Sequence, residues 1–146
     1  AKRIKTDVRF VRSGNSAATE TLKALERQTP PPQKILVVGN GEMGRLTAET
    51  LLDQGFAVSM TLRQYKRSQI QVPAGAQAFD YSLRYQYMPA FDAVVSATSS
   101  PHYTIEAQPF HRLAKKPALL IDLASPRDID PACAVPGQVA LRISTL

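Results

Sequence analysis

What the chain lacks narrows its class before any motif is read. It holds a single cysteine, Cys133, and no tryptophan in 146 residues. One cysteine excludes an internal disulfide and a structural zinc site built from thiolates, and no metal site is assigned. A reducing cytoplasm is therefore the expected compartment. No apolar run approaches the roughly 20 residues that a membrane-crossing helix needs, so no membrane partner is expected. No apolar segment of signal-peptide type follows the basic first residues. Repeats are absent, and low complexity is confined to Pro30-Pro31-Pro32. What is present, 44% hydrophobic and 21% charged residues, suits one globular domain with a real core. The chain starts at Ala1 and stops at Leu146 just after an apparent strand, so we expect a domain of a longer protein.

Charge is unevenly placed. Lys2, Arg3, Lys5, Arg9 and Arg12 against Asp7 put +4 of the net +6 into the first twelve residues. Such an arm can touch nucleic acid or simply be a solvated terminus. Ser13 to Gln28 reads as a helix, with Ala18, Leu22 and Leu25 at helical spacing, and Thr29-Pro-Pro-Pro32 ends it. Residues 1–32 are thus expected to form a basic arm and connecting helix, and residues 33–146 a separate nucleotide-binding unit.

The informative stretch begins at Lys34. Ile35, Leu36, Val37 and Val38 form an unbroken apolar run, as a strand covered on both faces requires. Gly39, Gly41 and Gly44 follow as G-x-G-x-x-G, and Met43, Leu46, Thr50 and Leu51 return at helical spacing up to Gly55. In a dinucleotide fold the first glycine makes the turn, the second lets a pyrophosphate reach the backbone, and the third allows close helix–strand packing. Unpaired amide N–H groups at the helix start favour the anion.

Phe56 to Leu62 reads as the next strand. An NAD-type site places an acid about 20 residues past the glycines to bind the adenosine ribose. Here that place holds Thr61, Leu62, Arg63 and Gln64, with Lys66 and Arg67 beyond. A guanidinium suits a phosphate, which favours NADP over NAD; an exposed basic loop is the plainer alternative. Further on, Gln77 to Phe79 could be a short strand, and Tyr81, Tyr85 and Met88 a core-facing helical stripe. Phe91 to Ala97 is an apolar strand running into Thr98-Ser-Ser-Pro101, where hydroxyls could line the nicotinamide side or merely lead into a helix. His102 has no carboxylate partner in the sequence, so no catalytic residue is assigned. Thr104 to Leu113 reads as a helix started late or interrupted by Pro109, Ala118 to Leu123 as a buried strand, and Val139 to Ile143 as a last one. The order implies an α/β, Rossmann-type doubly wound parallel sheet with helices on both faces.

Three pieces, Val37-Val-Gly-Asn-Gly-Glu-Met-Gly44, Val95-Ser-Ala-Thr-Ser-Ser-Pro101 and above all Leu120-Ile-Asp-Leu-Ala-Ser-Pro-Arg-Asp-Ile-Asp-Pro131, resemble the NADP-binding domain of glutamyl-tRNA reductases, within the wider shikimate-dehydrogenase-like family. The resemblance spans roughly Lys34 to Leu146. It implies NADPH as cofactor and hydride delivery to a glutamyl thioester, giving glutamate-1-semialdehyde for tetrapyrrole synthesis. The thioester-forming cysteine would lie in a separate N-terminal domain and dimerisation in a C-terminal helical one. Glutamyl-tRNA would meet the full-length protein, and this piece alone would be inactive. Carried over by motif, Gly39, Asn40, Gly41, Glu42, Met43 and Gly44 would border the pyrophosphate. Arg63, with Lys66 and Arg67 nearby, would meet the 2′-phosphate, and Thr98, Ser99 and Ser100 would lie near the nicotinamide. The sequence departs from the family where Leu62-Arg63-Gln64 replaces Asn-Arg-[ST], where Asn40 replaces Ala, and at Ser125. A shikimate- or quinate-type dehydrogenase domain, or a degenerate non-catalytic module, are the alternatives. Arg127, flanked by Asp122, Asp128 and Asp130, is expected to form a salt-bridged corner, and Cys133 to be a packed thiol.

Overall fold

The computed structural model describes residues 6–11, 14–63, 72–134, 136 and 138–145. Its strands are β1 (Thr6–Val11), β2 (Lys34–Val38), β3 (Ala57–Leu62), β4 (Gln77–Asp80), β5 (Ala93–Ser96), β6 (Leu119–Asp122) and β7 (Val139–Thr145). The helices are α1 (Gly14–Glu26), α2 (Glu42–Asp53), α3 (Arg84–Tyr87) and α4 (Ala107–His111). All strands pair in parallel in the order β1-β7-β6-β5-β2-β3-β4. From β2 the chain lays β3 and β4 to one side, then returns to lay β5, β6 and β7 on the other. The order therefore reverses between β2 and β5, and open α/β sheets bind ligands in the crevice at such a point.

The apolar runs sit where their composition requires. Ile35 to Val38 of β2 are fully buried, and every residue of β5 and β6 is buried. One face of the sheet, with Ile35, Val37, Met60, Val95 and Ile121, packs against Ala17, Ala24 and Leu25 of α1 and Ala48 and Leu51 of α2. The other face, with Leu36, Val38, Val94 and Leu120, packs against Met88, Phe91, Ile105, Phe110, Ile129 and Cys133. This is the doubly wound α/β arrangement, its second face covered by short helices and turns.

Three expectations need correction. The stretch expected as a basic arm contributes β1, a seventh strand paired with β7 from Thr6↔Ala140 to Val11↔Thr145. Its β-branched and aromatic residues alternate with charged ones, a period-2 strand pattern that the charge count hides. The expected connecting helix belongs to the same core, since Ala17, Ala24 and Leu25 are buried against the sheet, so among the described residues no boundary falls at 32. Thr104 and Ile105 are not helical. Their amides bond the Asp128 carbonyl and Ile105 bridges Ile129, which leaves α4 to begin at Ala107. The Tyr81, Tyr85, Met88 stripe does face the core, although the segment is split into 3₁₀ turns on either side of α3.

Cys133 is the packed thiol its environment suggests. It is fully buried, Sγ lies 3.6 Å from the Ile105 carbonyl, and burial together with the nearby Asp130 charge pushes its pKa up to about 12. The thiolate fraction at pH 8 is then about one in ten thousand. Iodoacetamide at that pH should leave the folded chain unmodified while labelling it completely in urea, as read by intact mass. Labelling at equal rates in both states would refute the packing.

Candidate functional site

The three glycines of the loop serve three different physical needs. Gly39 has φ +113°, and a Cβ there would lie 2.7 Å from the Ala97 carbonyl oxygen and 2.9 Å from Thr98 Cγ2. Only glycine turns the chain this way while letting β2 run beside β5. At Gly44 a Cβ would stand 2.4 Å from the Gly39 carbonyl oxygen, so its absence seats α2 directly on the turn. Gly41 is different. It caps α2 in extended geometry with no side-chain cap, and a Cβ built there meets nothing within 4 Å. Space over an uncapped first turn of a 12-residue helix is what an approaching pyrophosphate needs, so the residues present fit a dinucleotide.

Of the other residues expected at this loop, Asn40 is half-buried and Glu42 exposed, while the Met43 side chain packs against the core. The Gly39 amide donates to Thr61 Oγ1 at 3.0 Å, which locks the end of β3 to the glycine turn. Arg63 follows two residues later. Its guanidinium carbon lies 3.9 Å from the centroid of the Tyr81 ring. Arg84 lies 4.0 Å from the same centroid and 4.6 Å from that of Tyr85. Lys66 and Arg67 lie outside the described residues.

Across the switch point, the loop after β5 is held by Asp128. Its Oδ2 accepts from the Thr98 amide at 2.9 Å and from Ser96 Oγ at 2.8 Å, and its Oδ1 accepts from Thr98 Oγ1 at 2.7 Å. Ser96 Oγ and Thr104 Oγ1 are 2.7 Å apart and also share a hydrogen bond. Burial pushes the Asp128 carboxyl above the usual carboxylate range, against the bonds from Thr98 and Ser96 and the charge of Arg63. Thr98 Oγ1 in turn accepts from the Ser100 amide, and Ser100 Oγ from the His102 amide. Thr98 and Ser100 are thus committed to the shape of the loop, Ser99 is exposed, and the His102 side chain points to solvent.

The Pro-Arg-Asp corner is not built as expected. Asp122 Oδ1 accepts from the Ala124 amide and Oδ2 from the amides of Asp128 and Ile129, so backbone donors rather than Arg127 hold the turn. Arg127 makes no ion pair with a described residue. It lines a cavity of about 150 Å³ beside β6 and β7, with Arg142, Asp122 and Asp130 in the same wall. None of the glycine-loop residues lines that cavity. Sequence reading missed the Asp128 network and Tyr81. A serine ending a fully buried strand is the signal for the first, because a buried hydroxyl demands a partner.

Comparison with known proteins agrees with this geometry. Residues 21–142 match the family described as shikimate / quinate 5-dehydrogenase. A glutamyl-tRNA reductase of Alkaliphilus oremlandii is 44% identical over 133 residues, covering 90% of this chain and 40% of that protein. One from Acetivibrio thermocellus is 43% identical over 131 residues, covering 90% and 39%. The solved glutamyl-tRNA reductase of Methanopyrus kandleri superposes with a TM-score of 0.67 at 30% identity, over 92% of this chain and 35% of that one. The chain thus spans about two fifths of the length of these curated relatives. Fold and family together imply a nicotinamide dinucleotide as the cofactor class. With its glycine turn, its switch point and this match over most of its length, the chain belongs to the shikimate / quinate 5-dehydrogenase family, and its curated relatives are glutamyl-tRNA reductases.

Proposed function

We propose that this chain is the NADPH-binding domain of a cytoplasmic glutamyl-tRNA reductase, in which a hydride reduces a glutamyl thioester to glutamate-1-semialdehyde for tetrapyrrole synthesis. The observation that carries the reading is the open, uncapped α2 start at Gly41, with Thr61, two residues before Arg63, bonded to the glycine turn. NADPH, when bound, supplies the hydride. The chain's own residues do the holding. Backbone amides at the start of α2 face the pyrophosphate, and the Arg63 guanidinium takes the 2′-phosphate. The Thr98–Ser100 loop, pinned by Asp128, borders the nicotinamide. The thioester chemistry, glutamyl-tRNA recognition and dimerisation belong to parts of the full-length protein outside these residues, and the domain alone turns over no substrate.

Calorimetric titration with NADPH and NADH tests this. NADPH should bind at least about ten-fold more tightly, the value of a charge-assisted contact to phosphate, and Arg63→Ala should bring the two affinities together. Equal binding of both cofactors by the unaltered chain would remove the case for NADP.

A further inference from the structure

We infer that Tyr81 is a positioning residue for Arg63 and, through it, a determinant of dinucleotide preference; this rests on the reading of Arg63 as the 2′-phosphate contact. A phosphate-binding arginine just past the end of a strand needs something to hold its long side chain in place, because four freely turning bonds must otherwise be ordered on binding. Here the preceding residue is Leu62, which is buried and can offer no hydrogen bond from its side chain. The ring of Tyr81 stacks on this arginine, with the Arg63 guanidinium carbon 3.9 Å from its centroid.

The geometry of that contact suits the task. A guanidinium stacks by its face, whereas its N–H donors lie in its plane. Stacking on Tyr81 therefore fixes the plane and stays compatible with donation to an oxyanion at the edge. The ring is itself held in place. Arg84 lies 4.0 Å from the same centroid, donates through Nε to the Thr104 carbonyl at 2.6 Å and through Nη1 to the Tyr81 carbonyl at 3.1 Å. Tyr81 also packs against the second core. Arg84 is thus a structural cation that anchors the platform, and Arg63, two residues beyond the Thr61 tether, is the cation that the platform presents. Both guanidiniums crowd one ring, and the charge of Arg63 also reaches the buried Asp128 carboxylate, which offsets part of the repulsion between them.

The experiment compares Kd for NADPH and NADH in the unaltered chain, Arg63→Ala, Tyr81→Leu and Tyr81→Phe, with circular dichroism as the folding check. In Tyr81→Leu the NADPH Kd should rise about five-fold while the NADH Kd stays constant, and Tyr81→Phe, which keeps the ring, should stay within about two-fold of the original. Equal losses for both cofactors in Tyr81→Leu would mark a merely structural ring and overturn the inference. So would an unchanged NADPH-to-NADH ratio in Tyr81→Leu when Arg63→Ala collapses it. A ratio that Arg63→Ala leaves intact, or a chain that binds neither cofactor, removes the Arg63 reading itself and the inference with it. Should Tyr81→Leu fail to fold, the Arg63 Nε–H resonance of the unaltered chain decides. It should carry the ring-current shift of Tyr81 and move with 2′,5′-ADP but not with 5′-AMP. An Nε–H signal without ring-current shift, or one indifferent to 2′,5′-ADP, overturns it.

Discussion

Gly44→Ala is expected to cost about 3 kcal/mol of stability, on the order of 10 °C in Tm, whereas Gly41→Ala leaves Tm within about 2 °C and yet weakens dinucleotide binding about ten-fold or more. The contrast follows from what each missing Cβ would meet. At Gly44 it would stand 2.4 Å from the Gly39 carbonyl oxygen, a backbone atom on a turn already fixed by φ +113° at Gly39. Neither partner can rotate away, so α2 must lift from the sheet, and Ala48 and Leu51, both fully buried on its inner face, lift with it. At Gly41 the backbone is extended with φ −78°, open to any L-residue, and the new methyl meets nothing within 4 Å. Replacing glycine there even removes some freedom from the unfolded chain, worth up to about 1 kcal/mol. Its penalty falls on the ligand, because the methyl occupies the space over the helix start that a pyrophosphate must enter to reach the amides. Thermal melts and NADPH titrations of the two variants separate the effects. If Gly41→Ala bound NADPH as well as the unaltered chain, the open space at the start of α2 would not be the pyrophosphate cradle.

Gly39 and Gly44 were legible in the sequence because their requirement is on the backbone and only glycine meets it. The central strands were legible for a related reason: burial on both faces leaves a continuous apolar run, and Ile35 to Val38 and Ala93 to Val95 can hardly be read otherwise. What lay hidden depends on contacts between distant segments. In β1 charged residues alternate with apolar ones, and counting charges masks the alternation that makes an edge strand; its partner β7 lies more than 130 residues along the chain. The Thr104 segment has a plausible helical pattern, but the Asp128 carbonyl takes its amides first. In the Pro-Arg-Asp corner the sequence places an arginine between acids and suggests ion pairs, whereas the acids accept from backbone amides and buried hydroxyls. The stack of Arg63 on Tyr81 joins the ends of two adjacent parallel strands, and no periodicity along the chain announces it.

Asp128→Asn should cost about 2–3 kcal/mol at pH 7 and loosen the loop after β5, weakening binding of either cofactor. The carboxylate joins the loop after β6 to the end of β5 and the loop that follows it with three accepted bonds: from Ser96 Oγ, the Thr98 amide and Thr98 Oγ1. An amide at the same place keeps one acceptor oxygen and turns an N–H₂ toward donors, so at least one donor loses its partner beside a side chain that is fully buried. The hydroxyl of Ser96 can still turn to Thr104, but the Thr98 backbone amide has no such choice. The pH dependence has a definite sign. Burial raises the folded-state pKa of Asp128 above the unfolded value of 3.8, so in the range between the two the folded chain holds more protons than the unfolded one. The stability contributed by Asp128 is then fully present below about pH 4 and is lost as pH rises through its folded value. Asp122 is raised in the same direction by burial, with the Asp128 charge adding to the shift, so neutralising residue 128 also relieves its neighbour at neutral pH. The stability gap between the unaltered chain and Asp128→Asn should therefore widen on acidification from pH 7 toward pH 4, as measured by urea unfolding at each pH. A gap that narrows over that range would mean that the accepted hydrogen bonds outweigh burial and hold the Asp128 carboxyl below its ordinary pKa. The clamp on the Thr98 loop would then act as a stabilised carboxylate, strongest at neutral pH, where the cofactor must bind.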